Sequence, residues 1–356
     1  MIFEGKRILV TGGTGSMGKT FVRRALSGVA GTPRKLIVFS RDEGKQHDMR
    51  VSYLSGSPKA STDEIIYRNF QNVLEFRIGD VRSYADVCSA VRDADIVVNA
   101  AALKQVPACE YFPEQAILTN CMGALNIVRA VREQQLPVES VIAISTDKAC
   151  KPVNVMGMTK ALQERIILSA NVVNPKTRFI CVRYGNVLAS RGSVIPLFHE
   201  QIRAGGPVTI TDERMTRFLL SLEDAVDTTL AALRSALAGE TYVPMAAGAR
   251  VVDLARAMVG NRPIEIKFTG VRPGEKFDEI LVSEEEVNHT IQRGAYYVIR
   301  PMLPELQSDQ DKLPRALTKE FSSGDFVLDY ESTVALLRRN KLLDEKEGFR
   351  TQELLR

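Results

Sequence analysis

The chain has 356 residues, 45% of them hydrophobic and 25% charged, which is the composition of an ordinary soluble globular protein with one large domain or two modest ones. Its 47 basic and 43 acidic residues leave a net charge of only +4, so the balance gives no reason to expect bulk nucleic-acid binding. No apolar run reaches the roughly 18 residues of a membrane span, and residues 1–7 leave no room for a signal peptide before the first predicted strand.

Cysteine and histidine usage argues against two classes of site. The five cysteines are an odd, scattered set without Cys-x-x-Cys spacing, which predicts reduced thiols and a cytoplasmic location. The three histidines, His47, His199 and His289, are far apart in the sequence. We therefore expect neither a metal site nor a histidine-based catalytic triad.

The first predicted strand, Arg7–Val10, leads into a glycine-rich turn and then into a helix with an apolar face. Glycines at 13, 15 and 18 fit the pattern G-x-G-x-x-G. Residues without side chains let the backbone approach a pyrophosphate at the helix N-terminus, so the turn predicts a dinucleotide site. The alternative is a tight turn between strand and helix that binds nothing. The predicted contacts are Gly12, Gly13, Thr14, Gly15, Ser16, Met17 and Gly18.

The second strand, Leu36–Phe39, ends in Ser40 and Arg41, where an NAD enzyme usually carries an acid for the ribose 2′-hydroxyl. A hydroxyl beside a guanidinium suits a 2′-phosphate, so we predict NADP rather than NAD. The alternative is a solvated Arg41, with Asp42 binding the ribose.

The third and fourth strands end in further candidate residues for the nucleotide. Asp80 follows the third strand and could accept a hydrogen bond from adenine, although an ordinary strand-end aspartate is also an open interpretation. The fourth strand, Ile96–Asn99, is followed by Ala100, Ala101 and Ala102. These small residues let a nicotinamide ribose lie against the backbone.

The fifth strand carries the densest set of reactive side chains. Val141–Ile144 is an apolar run typical of a buried parallel strand, and it ends in the run Ser145–Lys148 at the edge where open α/β sheets bind ligands. A helix is predicted over 159–170, and Met156 shares a face with Lys160 if the helix begins that early. A hydroxyl, a carboxylate and two amines suit proton transfer, whereas the alternative is a polar strand end with a solvated lysine.

Five strand–helix steps within about 160 residues predict an α/β fold with a doubly wound parallel sheet. We assign residues 1–189 to this dinucleotide-binding domain, and residues 190–214 and 248–356 to a smaller substrate-binding domain with a C-terminal tail. Residues 215–247, which include a predicted helix after Ser221, are expected to return to the large domain.

Together these motifs resemble the extended short-chain dehydrogenases. Within them, the chain is most similar to the UDP-N-acetylglucosamine 4,6-dehydratases of bacterial surface-polysaccharide synthesis, including those that also invert C5. The matching runs span most of residues 1–280 and are Thr11–Gly18, Phe39–Glu43, Ala100–Val106, Ser145–Lys160, Arg183–Phe198 and Met215–Ala225.

The chain departs from the wider family in two places. Most short-chain dehydrogenases carry Tyr-x-x-x-Lys, whereas here Met156 takes the tyrosine position, and a thioether cannot transfer a proton. A branch of the dehydratases has methionine there, so the resemblance narrows to that branch. The loop over about residues 52–74 is also longer than in the family.

The resemblance implies a redox-neutral cycle on the sugar. Oxidation at C4 gives a ketone that acidifies the C5 proton; a base removes that proton, an acid assists loss of the C6 hydroxyl, and hydride returns to C6. The resemblance makes Lys148 the base and Asp147 the acid, with Thr146 or Ser145 bonding the C4 oxygen and Lys160 holding the nicotinamide ribose.

These roles require shifted pKa values. Lys148 must lose its charge, through desolvation or through the like charge of Lys160, and Asp147 must keep a proton through burial. Alternatively, Asp147 and Lys148 pair and stay ionised. With Met156 inert, the C4 hydroxyl proton passes through Lys160, Thr146, Lys148 or water.

The resemblance also implies tightly bound, recycled NADP, a UDP-sugar substrate and a homo-oligomer. The further cofactor contacts are Ser40, Arg41, Asp80, Val81, Ala100, Ala101, Ala102, Lys104 and Lys160. The expected substrate contacts are Lys104, Asn186, Arg191, Arg217 and Arg272. Two other functions stay open, which are a nucleotide-sugar 4-epimerase and a catalytically silent NADP-binding regulator.

Overall fold

The computed structural model describes residues 1–54, 70–188, 190, 192–271, 274–307 and 314–343. Within them, a nine-stranded sheet forms the centre of the larger part of the molecule. Its six N-terminal strands are all parallel to their neighbours, in the order β3-β2-β1-β4-β5-β6. They are β1 (Arg7–Thr11), β2 (Lys35–Ser40), β3 (Leu74–Ile78), β4 (Ile96–Asn99), β5 (Ser140–Thr146) and β6 (Arg178–Tyr184). The predicted doubly wound α/β fold is confirmed.

Helices cover both faces of this sheet because its strands are apolar on both sides. Ile8 and Val10 pack into one core together with Phe21, while Leu9 points to the opposite face and packs in a second core with Ile127. The helices of this part are α1 (Ser16–Leu26), α2 (Glu43–Leu54), α3 (Tyr84–Val91), α4 (Val106–Tyr111), α5 (Pro113–Ala116), a π-helical segment (Ile117–Met122), α6 (Gly123–Glu133) and α7 (Val155–Val173).

Two helices differ from their predicted bounds. The helix that the strand–helix rhythm requires between β4 and β5 is not one regular helix but α5, the π-helical segment and α6 in succession. Helix α7 begins at Val155 because Asn154 caps it, its side chain accepting the Gly157 N–H. Met156 and Lys160 therefore lie on one buried face of the helix.

The C-terminal half has short strands and helices in several small sheets. Its strands are β7 (Asn186–Val187), β8 (Val208–Ile210), β9 (Thr216–Leu220), β10 (Thr241–Pro244), β11 (Gly248–Arg250), β12 (Ile266–Phe268), β13 (Ile280–Val282), β14 (Thr290–Arg293), β15 (Tyr296–Ile299) and β16 (Phe321–Ser322). Its helices are α8 (Val194–Arg203), α9 (Leu222–Ser235), α10 (Val251–Val259), α11 (Glu284–Val287) and α12 (Tyr330–Arg339). Smaller sheets pair β11 with β9 and β9 with β7, β12 with β8, and β13 with β16.

Part of this half joins the large sheet. Helix α9 begins in a capping box at Ser221 and is tied to α1 by Arg24, which pairs with Glu223 and Asp227. Strand β10 then pairs in parallel with β6. Strands β14 and β15, which the sequence placed in the smaller domain, extend the same sheet in antiparallel pairing. The division into two domains stays a prediction.

A buried arginine joins the two halves near the end of β6. The Arg183 guanidinium donates to Glu164 of α7 at 2.7 Å and to Glu286 of α11 at 2.7 Å, and also to the carbonyl of Leu281 in β13. Such a buried charge is tolerated because two carboxylates pair with it. The arginine holds β13, and the residue before it, against the carboxyl ends of β5 and β6.

Candidate active site

The turn between β1 and α1 has the geometry that a dinucleotide requires. Gly12 has φ +65°, and a Cβ atom there would lie 2.7 Å from the backbone nitrogen of Ala101. The turn thus lies so close to the loop after β4 that only a residue without a Cβ atom can occupy position 12. Gly15 precedes helix α1, whose N-terminal N–H groups provide an anion site.

A cavity of about 560 Å³ runs along the carboxyl ends of the strands. Of the predicted cofactor residues, Gly13 alone lies outside the lining of this cavity. It faces β2 instead, where a Cβ atom on Gly13 would lie 2.9 Å from the Val38 side chain. The lining contains Gly12, Thr14, Gly15, Ser16, Met17, Gly18, Ser40, Arg41, Asp80, Val81, Ala100, Ala101, Ala102, Lys104 and Lys160. The volume of the cavity, the exposed glycine backbone and the polar and basic side chains of the lining suit a dinucleotide.

Two charged side chains, Arg41 and Asp42, follow β2 and line the cavity. Arg41 is more than half exposed and lines the cavity. Asp42 is already engaged, because its carboxylate accepts the backbone N–H of Lys45 at 3.0 Å and pairs with the ammonium of the same residue. The Ser40 hydroxyl accepts a hydrogen bond from Gln46 at 3.0 Å.

Asp80 also has a protein partner. Its carboxylate accepts hydrogen bonds from the Arg82 guanidinium at 2.6 and 2.8 Å. Burial raises the pKa of Asp80, but Arg82 and Arg41 outweigh that effect and the pKa is lowered overall. An adenine contact must therefore compete with an existing ion pair.

A second cavity, of about 640 Å³, lies between the sheet and the C-terminal half. Lys148 and Asn186 line both cavities, and the Lys148 Nζ atom donates to Asn186 Oδ1 at 3.1 Å. The Lys148 side chain is 22% exposed, so the amine is reachable. Lys148 and Asn186 therefore lie at the boundary of the two cavities.

The Lys148 ammonium lies between two carboxylates. Its Nζ atom is 3.0 Å from Asp147 Oδ1 and 3.3 Å from Glu279 Oε1. Burial lowers the pKa of Lys148, but Asp147 and Glu279 outweigh that effect and raise the pKa overall. Of the two predicted causes, burial does lower the pKa of Lys148 but does not prevail, and the like charge that also lowers it is that of Arg217.

Asp147 is completely buried. Its Oδ1 atom accepts the Thr146 hydroxyl at 2.9 Å and the Lys148 ammonium, while Oδ2 has no hydrogen-bond partner within the described part of the chain. Burial raises the pKa of Asp147 against the opposing effect of Lys148. A raised pKa suits an acid, but Asp147 lines neither cavity. Thr146, which is hydrogen-bonded to Asp147 and lines the first cavity, connects Asp147 to that cavity.

Lys160 and Met156 occupy the floor of the first cavity. The Lys160 Nζ atom donates to the carbonyl of Ile144 at 2.6 Å and to Gln163 Oε1 at 2.7 Å. Burial lowers the pKa of Lys160 to about 8, although Glu164 acts in the opposite direction. Met156 packs in an apolar cluster with Cys109 and offers no proton.

The predicted substrate residues are only partly brought together. Asn186 meets Lys148, whereas Lys104 lines the first cavity. Arg217 lines the second cavity, but its guanidinium already donates to the carbonyls of Thr216 and Phe277. Arg191 and Arg272 lie outside the described residues, as does most of the long loop over residues 52–74.

Two site residues were not found from the sequence. Glu279 contacts Lys148 although it is far from it in the sequence, and no local motif marks it. Asn120, in the π-helical segment, accepts the Leu103 N–H and donates to the Leu103 carbonyl and to Thr159 Oγ1. It thereby holds the loop after β4 against α7, and a polar residue within an apolar helical run was its one signal.

Among the described residues, no group of three or more His, Cys, Asp or Glu side chains is placed to hold a metal ion. Their helices also include none long and apolar enough to cross a bilayer.

Comparison with known sequences gives one family with two activities among its members. The model of the family described as polysaccharide biosynthesis protein matches residues 8–301. A UDP-N-acetylglucosamine 4,6-dehydratase (inverting) from Campylobacter jejuni is 40% identical over 313 residues, which are 87% of each chain. A UDP-glucose 4-epimerase from Rickettsia bellii is 43% identical over 303 residues, which are 84% of each chain.

Solved structures agree with this result. Pen from Bacillus thuringiensis is 33% identical, with a TM-score of 0.85 over 97% of this chain and 100% of that one. DesIV, a dTDP-glucose 4,6-dehydratase from Streptomyces venezuelae, has a TM-score of 0.64 over 96% and 99% of the two chains, and at 18% identity it shows the fold alone. The chain is thus an enzyme of the polysaccharide biosynthesis protein family, built on the fold of the extended short-chain dehydrogenases.

Proposed function

We propose that the enzyme is an NADP-dependent 4,6-dehydratase that acts on UDP-N-acetylglucosamine or a related UDP-sugar and inverts C5. The observation that carries the proposal is the position of Lys148, which lines both cavities and contacts Asp147 and Glu279. A site that only oxidises and reduces C4 has no use for this cluster. The similarity to the inverting dehydratase from Campylobacter jejuni supports the substrate and the stereochemistry.

The first cavity is the proposed NADP site. When bound, the dinucleotide supplies the reversible hydride acceptor that a redox-neutral cycle needs. The glycine-rich turn and the N-terminus of α1 hold the pyrophosphate, and Arg41 with Ser40 holds the 2′-phosphate. Lys160, fixed by Ile144 and Gln163, orients the nicotinamide ribose.

The proposed acid and base work as a connected set. Lys148 takes the C5 proton after it has released its own, because only the neutral amine is a base. The proton for the departing C6 hydroxyl comes from the Thr146 hydroxyl, which turns from Asp147 Oδ1 to the leaving oxygen and takes a proton from Asp147 in its place, since Asp147 itself is 0% exposed. Deprotonation of the C4 hydroxyl falls to Thr146, Lys148, Lys160 or water, since Met156 cannot take part.

A nucleotide-sugar 4-epimerase is the second candidate, and the similarity to the epimerase from Rickettsia bellii favours it. Epimerisation needs the same cofactor site and the same contacts to UDP. It differs in leaving the C5–H and C6–O bonds intact. Lys148 and Asp147 therefore separate the two functions, because elimination alone needs a base at C5 and an acid at C6.

The test is a proton NMR spectrum of the products that purified enzyme forms from UDP-N-acetylglucosamine in D₂O. Dehydration gives a C6 methyl group and deuterium at C5. Replacement of Lys148 with alanine should lower the rates of methyl formation and of deuterium incorporation by about a hundredfold or more. Lys151→Ala is the matched control, because Lys151 is an exposed lysine paired with Glu320 and should retain full activity.

Two outcomes would overturn the dehydratase. A product with an intact C6 hydroxymethyl group and inverted C4 would identify an epimerase. NADP binding without turnover of any UDP-sugar would identify the silent regulator, which the missing tyrosine suggested.

Two further predictions concern the protein in the cell. We propose a homo-oligomer, because α4 with the residue that follows it, the π-helical segment and α7 expose large apolar side chains close together, which is typical of an interface. They are Tyr111, Phe112, Ile117, Leu118, Met158 and Leu162. Sedimentation of the purified protein tests this prediction.

The cytoplasmic location remains a prediction from cysteine usage.

A further inference from the structure

Glu279 is a buried carboxylate in the wall of the second cavity, opposite the proposed base. Its Oε1 atom is 3.3 Å from the Lys148 ammonium, and its Oε2 atom has no hydrogen-bond partner within the described residues. An unpartnered carboxylate oxygen in a buried position is costly, and a protein keeps such a group where it has a use.

The backbone of Glu279 is fixed on both sides. Its N–H donates to the Ser323 hydroxyl at 2.9 Å, and its carbonyl accepts the Ser323 N–H at 2.8 Å. Strand β13, which begins at the next residue, is held by Arg183 as described above. The carboxylate is therefore presented to Lys148 by a rigid part of the fold and not by a mobile side chain.

Charged groups from several elements surround the pair. Asp147 contacts Lys148 from the same strand end, and Arg217 of β9 lies 3.7 Å from Glu279 Oε1. Lys276 acts on Glu279 from the preceding turn, where its ammonium donates to the carbonyl of Cys150. Burial raises the pKa of Glu279, but Lys148, Arg217 and Lys276 outweigh it, so the pKa is lowered.

We propose that Glu279 is a positioning residue for the reaction, which holds the Lys148 ammonium at the boundary of the two cavities and sets the pH at which Lys148 becomes a base. The inference rests on the proposed function only in naming C5 as the proton that Lys148 removes. In the first step an Nζ–H bond of Lys148 breaks and the proton passes to water at the partly exposed amine, while Glu279 stays a carboxylate. In the second the C5–H bond breaks, its electron pair stays on the sugar and an Nζ–H bond forms, so Lys148 returns to its starting charge.

The direct test is a titration of Lys148 by NMR, with lysine labelled in its side chain and the signal assigned through loss in Lys148→Met. Glu279→Gln keeps the volume and an acceptor oxygen but removes the charge. The pKa of Lys148 should fall by about one unit or more, because an opposite charge within a few ångströms has been removed. Glu279→Asp keeps the charge on a shorter arm and should give a smaller shift.

The matched control is Glu320→Gln, which removes the carboxylate from the exposed Lys151 pair and should leave the Lys148 titration unchanged. If the Lys148 pKa is the same in wild type, Glu279→Gln and Glu279→Asp, and all three are folded by circular dichroism, the inference is overturned. This readout needs no substrate, so it stands apart from the identity of the reaction.

The kinetic readout links the pair to turnover. Activity of a lysine base rises with pH as the ammonium is lost, so a lower pKa moves the rising limb of kcat/KM to lower pH. Glu279→Gln should shift that limb to lower pH by the amount seen in the titration. In Glu279→Asp the limb should lie close to its position in the wild type. A uniform loss of kcat with an unmoved limb would reveal a merely structural residue. A titration shift without any turnover would contradict the proposed function and leave the Lys148–Glu279 coupling intact.

Discussion

The Nζ atom of Lys160 lies 2.6 Å from the carbonyl oxygen of Ile144, the residue that precedes the Ser145–Lys148 run. Helix α7 and strand β5 are thereby joined through a buried lysine. Burial lowers the pKa of this lysine to about 8, so its ammonium loses the proton as the pH rises through that value. The charge is present below this pH and absent above it.

If the Lys160 ammonium orients the cofactor ribose, kcat should fall as the pH rises past about 8. Gln163 accepts a hydrogen bond from the ammonium at 2.7 Å, and Gln163→Leu removes that acceptor. Because the acceptor stabilises the charged form, the falling limb of the leucine variant should begin at lower pH. Rates measured across this range in both proteins check the prediction, and a limb unmoved by the substitution would contradict it.

Gly12 should be essential both for folding and for cofactor binding. Gly12→Ala places a Cβ atom 2.7 Å from the Ala101 nitrogen at φ +65°, so we expect about 2–4 kcal/mol of destabilisation and loss of NADP binding. Gly5 has φ +67° with open space around it, so Gly5→Ala isolates the conformational cost, about 1 kcal/mol. Urea unfolding and cofactor titration distinguish the two. Equal effects would mean that the contact with the loop after β4 is unimportant.

Arg41 should determine the choice between NADP and NAD. Arg41→Ala removes a guanidinium from the cavity wall, so the affinity for NADP should fall about tenfold while the affinity for NAD changes little. Arg34→Ala, at an exposed position at the other end of β2, is the control. Calorimetric titration of each protein with both dinucleotides gives the ratio. An equal loss of affinity for NADP and NAD would mean that residues other than Arg41 bind the 2′-phosphate.

Met156 should be replaceable by another side chain of its size. It is buried with Cys109 and Ala116 and has no proton to transfer, so Met156→Leu should keep kcat within about threefold of wild type. Thermal unfolding would show whether packing is preserved. A folded leucine variant with a far lower kcat would mean that the thioether itself contributes to the reaction.

The fold and the glycine-rich turn that lines the first cavity are largely decided by local sequence. Apolar runs such as Val141–Ile144 mark strands that are buried on both faces, and the glycines of the first turn admit the close approach that only residues without a Cβ allow. The strand ends then bring Ser145–Lys148 to the ligand edge because all parallel strands end there. These features need only neighbours in sequence, and they were predictable.

The electrostatics of the reactive centre were decided by the tertiary structure. Glu279 comes from a distant segment, and together with Asp147 it raises the pKa of Lys148 against the opposing effects of desolvation and of Arg217. The full burial of Asp147, likewise, depends on how the C-terminal half closes over β5. The sequence supplies the ionisable groups, but a pKa depends on distance and on access to water, and both exist only once remote parts of the chain are packed together.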